Sequence, residues 1–443
     1  MRLYPVHWLA IFFAGLTFTV SCSTSGPGLF AKKSPHEQYG QRIDNAGLRH
    51  TAMGRSWFEA AAHSLAMPLT ISIPYQETGY FAAENPRAVG LQFRARQGEK
   101  LQIRLDKRPA PGFTLYLDLW EPPVQGSAAR LLIAADSTGS PLEYEIKNDG
   151  SYVLRIQPEL LKGGEYTLTI SSGPSLAFPV PEPVKATIGS FWGVGRDRGA
   201  RKHEGIDIFA PFRTPVIASA AGRVTRVNEN NLGGKVVWLR PTNKDFTLYY
   251  AHLDTQIVRD GDLVQSGDTV GLMGNTGNAK STSPHLHFGI YAVGGAVDPL
   301  PFVNTANKRA EVVKASINIL GKRVRSSKPG KLYEQPAVKA AFIPLEVNSL
   351  LNVEAATANW YKVVLPGGQK GFINETAISS LDKPLRRLSL SSRTALFDQP
   401  DSLAARKAFL PAGDRVNILA SHSRFYLVST TGDETGWIMK QGL

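Results

Sequence analysis

The feature that most constrains the fold is a period-two alternation of apolar and polar residues. Leu101 and Ile103 alternate with polar neighbours, and a similar run follows from Phe113. Pairs that contain a glycine, such as Pro111-Gly112 and Asp149-Gly150, mark turns between the runs. Because successive side chains of a strand point to opposite faces, this spacing predicts strands with one buried face. Several short strands separated by turns predict a β-sandwich over residues 69–172.

The last two runs of this sandwich carry a resemblance to a known module. DGSYVLRI at 149–156 and GGEYTLTI at 163–170 resemble the pre-peptidase modules of secreted bacterial proteases.

The C-terminal part of the chain contains an internal repeat. The segment LYEQP at 332–336 recurs 64 residues later as LFDQP, and WYKV at 360–363 recurs 65 residues later as FYLV. Each copy continues into a Gly-aromatic-Ile triplet, a pattern that resembles bacterial SH3-like domains, which commonly bind cell wall. We therefore expect SH3-like repeats over residues 319–381 and 382–443. The alternative is a repeat that only packs on its neighbour as a spacer.

Length and composition predict a mainly β, multidomain protein. At 443 residues the chain is too long for one ordinary hydrophobic core. The apolar spacing over residues 41–68 is closer to helical, so we expect a short helical segment there, after a flexible tether over residues 22–40. A proline-rich linker over residues 173–187 and a basic linker over residues 306–318 are expected on either side of a central domain.

The N-terminus has the character of an export signal. Arg2 is the only charged residue before Cys22, and a mostly apolar run leads to Ser21 and to this single cysteine. A small residue just before a lone cysteine resembles the lipobox of bacterial lipoproteins. We therefore expect a lipoprotein signal peptide over residues 1–21, lipidation of Cys22, and anchoring to a membrane on its periplasmic or extracytoplasmic face. An ordinary cleaved signal and a short uncleaved anchor are the alternatives.

Charge and cysteine content exclude several function classes. With Cys22 lipidated, the chain has no thiol for disulfides, thiol catalysis or metal binding, so any metal must be held by His, Asp or Glu. The formal net charge is +13, and basic residues cluster over 305–331 and at Arg196, Arg198, Arg201 and Lys202. We interpret them as solvated surface, with attraction to anionic envelope polymer or lipid headgroups as the alternative. No nucleic acid is expected as a partner, because export and the absence of a nucleic-acid motif argue against it.

Four of the nine histidines lie between residues 203 and 287. His285 and His287 are two apart on a predicted strand and so point to the same face, while His203 and Asp207 are four apart. An imidazole, a carboxylate and a second imidazole supply the three protein ligands that a catalytic zinc needs, with one position left for water. The pattern therefore predicts a zinc site.

In combination, the motifs around these residues resemble the lysostaphin or LytM-type zinc endopeptidases. The matching segments follow the family's order within residues 188–305: HEGIDI at 203–208, AGRV at 221–224, YYAHL at 249–253, GDTVG at 267–271 and PHLHF at 284–288. The resemblance implies that one Zn²⁺ per chain is bound by His203, Asp207 and His287. It also implies that His252 and His285 are catalytic and face the bound water and the scissile carbonyl.

The same resemblance implies a function. We expect a peptidoglycan hydrolase of the cell envelope that cuts peptide cross-links through a zinc-activated water, with division or remodelling proteins of the envelope as candidate partners. One alternative is a catalytically silent adaptor that activates another wall hydrolase; the five filled positions argue against it. The other is a wall-binding or structural lipoprotein, which requires a zinc closed by four protein ligands.

Overall fold

The computed structural model describes residues 33–123, 127–138, 141–196, 199–306 and 309–440. The predicted signal peptide, Cys22 and most of the predicted tether lie outside these residues. Within them the chain is mainly β and multidomain, which confirms the predicted fold class. None of the helices in the described ranges is long and apolar enough to cross a bilayer.

Helix α1 (Pro35–Asn45) lies partly within the segment predicted to be a tether. It begins with a capping box: the Glu37 N–H donates to Ser34 Oγ at 3.1 Å, and the Glu37 carboxylate accepts from the Ser34 N–H at 2.8 Å. Proline at the first helical position strengthens this start. The prediction of a flexible tether over residues 22–40 is therefore wrong from Pro35 onward.

Helix α2 (Ala52–Ala66) follows after a turn at Gly47, whose φ of 70° is the left-handed conformation that glycine adopts most readily. The helical segment predicted over residues 41–68 is thus the end of one helix and all of another. Trp57 of α2 is buried, and its Nε1–H donates to the Pro158 carbonyl at 2.9 Å. This contact fixes the helical segment on the β-sandwich that follows.

The sandwich consists of two mostly antiparallel sheets packed face to face. Its strands are β1 (Leu69–Thr70), β2 (Tyr75–Phe81), β3 (Val89–Ala95), β4 (Glu99–Arg108), β5 (Leu115–Glu121), β6 (Arg130–Asp136), β7 (Leu142–Glu145), β8 (Gly150–Pro158) and β9 (Gly164–Pro174). One sheet has the order β1-β3-β8-β5-β6, and the other includes β2-β9-β4-β7. The alternating residues Leu101, Ile103 and Leu115 fill the space between the two sheets.

The central domain is built on a sheet of its own. Its strands are β10 (Thr187–Ser190), β11 (Gly195–Arg196), β12 (Arg201–Lys202), β13 (Ile206–Phe209), β14 (Pro215–Ile217), β15 (Gly222–Asn230), β16 (Gly234–Pro241), β17 (Phe246–Gln256), β18 (Leu263–Val264), β19 (Thr269–Met273), β20 (His285–Ala292) and β21 (Gly295–Val297), followed by the short helix α3 (Leu300–Val303). The main strand order is β10-β13-β20-β17-β16-β15-β18, while β11 and β12 form a separate hairpin.

The predicted proline-rich linker belongs in part to this central domain. Leu176 and Val180 are both 4% exposed and pack in its core, and the Ile217 N–H donates to the Pro179 carbonyl at 3.0 Å. Residues 176–180 are therefore part of the domain's packing rather than a bare connector. A fragment that begins at residue 185 would lack core side chains of the domain.

Two β units complete the chain. The first contains β22 (Arg323–Ser326), β23 (Gly330–Tyr333), β24 (Phe342–Leu345), β25 (Leu350–Thr357), β26 (Trp360–Val364), β27 (Lys370–Asn374) and β28 (Ile378–Ser380); the second contains β29 (Arg386–Ser389), β30 (Thr394–Phe397), β31 (Arg406–Leu410), β32 (Arg415–His422), β33 (Phe425–Ser429) and β34 (Thr435–Met439). Strands β24-β23-β27-β26-β25 correspond in order to β31-β30-β34-β33-β32. The repeat in the sequence is thus also a repeat of strand order.

The first of these units shares a sheet with the sandwich. Strand β25 pairs antiparallel with β2, and Lys362 of β26 places its Nζ 2.7 Å from each carboxylate oxygen of Glu77 on β2. Both charged side chains are fully buried, with 1% and 0% of their surface exposed. Trp360 and Phe372 pack in the sandwich core. A buried ion pair and a shared core therefore join the two modules.

The second unit uses the same positions to contact the first. Phe425 and Trp437, which correspond to Trp360 and Phe372, are buried in a cluster that contains Leu350 of the first unit. In both copies, then, these two aromatic residues of the repeat pattern pack against the preceding module. This packing favours the spacer alternative over wall binding through the same aromatic side chains.

Candidate metal centre

Three side chains converge on one point at the edge of the central sheet. His203 Nε2, Asp207 Oδ1 and His287 Nδ1 each lie 3.0 Å from the other two. A tetrahedral zinc with bonds of about 2.0–2.1 Å separates its ligand atoms by roughly 3.3 Å, so the observed triangle fits zinc with a small adjustment. Two imidazoles and a carboxylate are also the donor types that zinc accepts. Among the described residues, no other His, Cys, Asp or Glu belongs to this group.

The register of the sheet creates this triangle. Strand β13 pairs antiparallel with β20 so that Asp207 lies directly opposite His287, and directly opposite residues on one face of a sheet are close neighbours. His203 lies just before β13, where its N–H donates to the Val194 carbonyl at 2.8 Å. Pairing of two sequence-distant strands therefore brings two of the three ligand side chains together.

Contacts around the ligands orient their rings. His203 Nδ1 lies 2.9 Å from the Phe191 carbonyl oxygen, and because a carbonyl can only accept, the proton is on Nδ1 and the Nε2 lone pair is left for an ion. Gly205 leaves room for His287, because a Cβ at residue 205 would lie 2.7 Å from the Cε1 atom of that ring. The glycine of the HEGID motif thus has a packing role.

Burial and charge set the protonation of the ligands. Burial raises the pKa of Asp207, but hydrogen bonds and charge interactions with His203 and His287 outweigh it and hold that pKa well below its usual value. Burial lowers the pKa of His287, although Asp207 partly opposes the shift. A carboxylate that stays ionised and an imidazole that favours its neutral form are the protonation states that metal binding requires.

Two further histidines lie beside the triangle. The His252 ring centroid is 5.9 Å from that of His287 and 4.9 Å from that of His285. His252 has a φ of 60°, a conformation that is uncommon for residues other than glycine and that often marks functional sites. Burial, then the nearby His285 and His287, lower the pKa of His252 to about 4. His252 is therefore neutral at physiological pH.

Backbone carbonyls fix the tautomers of both rings. His252 Nδ1 lies 2.9 Å from the Thr276 carbonyl oxygen, and His285 Nδ1 lies 2.9 Å from the Ser283 carbonyl oxygen. Since carbonyl oxygens only accept hydrogen bonds, each Nδ1 carries a proton, and the neutral form of either ring therefore has its lone pair on Nε2. The two rings are thus suited to general acid–base chemistry.

The five residues lie in a cleft of about 900 Å³ whose described lining comes from residues 189–291. Within the part of the chain that the structure describes, neither the sandwich nor the repeats contribute to this lining. One wall carries Arg196, Arg201 and Lys202 of the β11–β12 hairpin, and aromatic rings of Trp238, Tyr249 and Tyr291 line another part. Glu204 is exposed beside Tyr291, whose pKa burial and this carboxylate raise to about 12. The three ligand residues, His252 and His285 therefore line one cleft, together with basic and aromatic side chains.

All five site residues predicted from the sequence are thus brought together: His203, Asp207 and His287 as the ligand triangle, with His252 and His285 beside it. Sequence reasoning missed Arg196, which was grouped with surface cations but contacts Asp207. One sequence signal could have indicated Arg196. It lies seven positions before His203, between that ligand and residues 193–194, whose backbone hydrogen-bonds to His203.

Comparison with known proteins identifies the domain that carries this site. Residues 201–299 match the model of peptidase family M23. The central domain is a peptidase family M23 domain. It is 34% identical over 137 residues to the L-Ala--D-Glu endopeptidase of Bacillus subtilis, and 38% identical over 88 residues to the peptidoglycan DD-endopeptidase ShyC of Vibrio cholerae.

These matches cover limited parts of each chain. The alignments span 28% of this chain and 42% of the Bacillus protein, and 20% of this chain and 20% of the Vibrio protein. Among solved structures, the catalytic domain of lysostaphin from Staphylococcus simulans is 32% identical, with a TM-score of 0.24; the match covers 27% of this chain and 91% of that domain. Because the family match covers residues 201–299, the M23 assignment concerns the central domain and not the modules on either side.

Proposed function

We propose that the chain is a zinc metalloendopeptidase that hydrolyses peptide cross-links in bacterial peptidoglycan. The observation that carries this proposal is the triangle of His203, Asp207 and His287 ligand atoms, open on one side to a cleft where His252 and His285 lie. A catalytic zinc site keeps one coordination position free of protein ligands, whereas a structural site has four. The similar Bacillus subtilis protein is an L-Ala--D-Glu endopeptidase and the Vibrio cholerae protein is a peptidoglycan DD-endopeptidase, which supports the same reaction class for this chain.

The residues of this chain divide the chemistry between them. Bound by His203, Asp207 and His287, a zinc ion would supply a Lewis acid that lowers the pKa of a water molecule and polarises the scissile carbonyl. His252 and His285 each offer Nε2 to take a proton from the attacking water. Once protonated, the same nitrogen can give the proton to the departing amine, so the pair serves both halves of amide hydrolysis.

The proposal extends to location and partners. We infer that Cys22 carries a lipid that anchors the protein at a bacterial membrane facing the cell wall, where proteins of division or envelope remodelling would act beside it. Tethering would confine the peptidase to nearby peptidoglycan and raise its effective concentration there. The helices and the sandwich, which lie between Cys22 and the central domain in the chain, would then set the distance between anchor and cleft.

Activity on purified peptidoglycan tests the proposal. The full chain, with and without a zinc chelator, is incubated with insoluble peptidoglycan, and released fragments are identified by mass. We expect peptide-bond cleavage that chelator abolishes and zinc restores. His287→Ala is expected to lose tight zinc binding and cleavage together, whereas His50→Ala, which removes an exposed histidine in the turn before α2, retains both.

Two outcomes would oppose the proposal. Normal cleavage by His287→Ala would mean that the metal assignment is wrong. Tight zinc binding by the full chain without any fragment release would favour the silent adaptor, and its ability to stimulate a second wall hydrolase would then be measured.

A further inference from the structure

Arg196 contacts the oxygen of Asp207 that points away from the ligand triangle. Its Nη2 lies 2.5 Å from Asp207 Oδ2 and 2.9 Å from Ser190 Oγ, while Asp207 Oδ1 faces His203 and His287. The two carboxylate oxygens therefore have separate partners.

The backbone holds Arg196 in this place. Strand β11 pairs with β12, with Arg196 opposite Arg201. At the base of this hairpin, the Gly193 N–H donates to the His203 carbonyl at 2.9 Å, and the His203 N–H donates back to Val194 at 2.8 Å. The hairpin is thus joined to His203 through the backbone and to Asp207 through the Arg196 side chain.

From this arrangement we infer that Arg196 is a positioning residue that keeps Asp207 a one-oxygen metal ligand. The inference rests on the proposed zinc site. A carboxylate can bind a metal through one or both oxygens, and a charge-assisted hydrogen bond to Oδ2 withdraws that oxygen from the ion. With one oxygen committed to the guanidinium, Asp207 fills a single coordination position, and the position needed for the reacting water stays open.

Charge and orientation make opposite predictions for zinc affinity. A guanidinium next to a dication repels it, so on charge alone removal of Arg196 would tighten zinc binding. If Arg196 instead orients the ligand, its removal weakens binding, because partners of metal ligands contribute about 10–100-fold to affinity or activity. The sign of the change therefore separates the two roles without any measurement of catalysis.

The experiment measures the zinc Kd of the full chain by competition with a chromogenic chelator. We expect Arg196→Gln to bind zinc about 10–100-fold more weakly than wild type, and Arg196→Lys to recover part of the loss because a cation remains near Oδ2. Lys202→Gln, which removes an exposed charge from the same hairpin, controls for charge and is expected to bind zinc with unchanged or higher affinity. Zinc binding by Arg196→Gln as tight as that of wild type would overturn the inference.

Two further measurements separate this inference from other failures. The metal-free Arg196→Gln protein is expected to melt at a temperature close to that of wild type, because Asp207, which is 8% exposed, keeps its contacts with His203 and His287 while the Arg196 side chain is 36% exposed. A drop in melting temperature that Arg196→Lys does not rescue would assign Arg196 a purely structural role. If wild type itself binds no zinc, the proposed function fails; if wild type binds zinc and Arg196→Gln binds it equally tightly, only the role of Arg196 fails.

Discussion

The ion pair between Glu77 and Lys362 should be the most sensitive point of the contact between the sandwich and the first C-terminal unit. Lys362 places its Nζ 2.7 Å from both oxygens of Glu77, and Tyr75 and Tyr166 donate hydroxyl hydrogen bonds to the same carboxylate at 2.8 and 2.7 Å. Lys362→Met keeps the aliphatic stem but removes the charge, so a fully buried carboxylate is left without its cation.

The magnitude follows from burial. Removal of one partner from a buried ion pair costs about 3–5 kcal/mol, because the remaining charge is left uncompensated. The two tyrosine hydroxyls should bring the cost toward the lower end of that range. The second unit has Leu427, 1% exposed, at the position that corresponds to Lys362. An apolar side chain therefore fits the position that corresponds to residue 362. The loss of unfolding free energy predicted for Lys362→Met is accordingly due to the missing charge.

A double-mutant cycle tests this account. Urea unfolding of the full chain, followed by circular dichroism, is compared for wild type, Lys362→Met, Glu77→Gln and the double variant. We expect Lys362→Met to lose about 3 kcal/mol and the double variant to lose less than the sum of the single variants, with a coupling energy of about 2 kcal/mol. A loss below about 1 kcal/mol, or strict additivity, would refute a tightly coupled buried pair.

Three other predictions follow from the site and the N-terminal helices. His252→Ala and His285→Ala should keep zinc bound but lower kcat about 10²–10⁴-fold; zinc loss in either would make that residue a ligand. Gly205→Ala should weaken zinc binding, because its Cβ would lie 2.6 Å from the Phe288 carbonyl oxygen and 2.7 Å from His287 Cε1, so the ligand ring must shift; an unchanged zinc Kd would contradict this packing. Burial, with Arg155, lowers the pKa of His36 to about 3, so its stability contribution is complete above pH 6.5 and declines as pH falls toward 3. At pH 5 the free energy of unfolding should therefore be about 2 kcal/mol lower than at neutral pH. Urea unfolding of His36→Gln should not show this decrease, and an equal decrease in that variant would exclude His36 as its source.

Strands and helix starts depend on residues close together in the chain, and local sequence patterns could predict them. Alternation at Leu101 and Ile103 indicated strands because side-chain direction on a strand depends only on position. The capping box of Ser34 and Glu37 was present too, but the glycine- and proline-rich composition before it favoured a tether instead. A short polar signal of this kind predicts a helix start better than average composition does.

Contacts between residues far apart in the chain could not be predicted from such local patterns. Glu77 and Lys362 are 285 positions apart, and nothing local to either residue indicates that they form a pair. The appearance of Leu427 at the position corresponding to Lys362 does indicate that this position is buried. Arg196 was likewise interpreted as one of several surface cations, because its contact with Asp207 depends on how a hairpin folds over a strand.

Zinc-edge anomalous diffraction from crystals of the full chain tests the central claim most directly. The account predicts one zinc per chain within about 2.0–2.2 Å of His203 Nε2, Asp207 Oδ1 and His287 Nδ1, with His252 and His285 unbound and no fourth protein ligand. A zinc closed by a fourth side chain, or no anomalous peak at this point in crystals saturated with zinc, would contradict it.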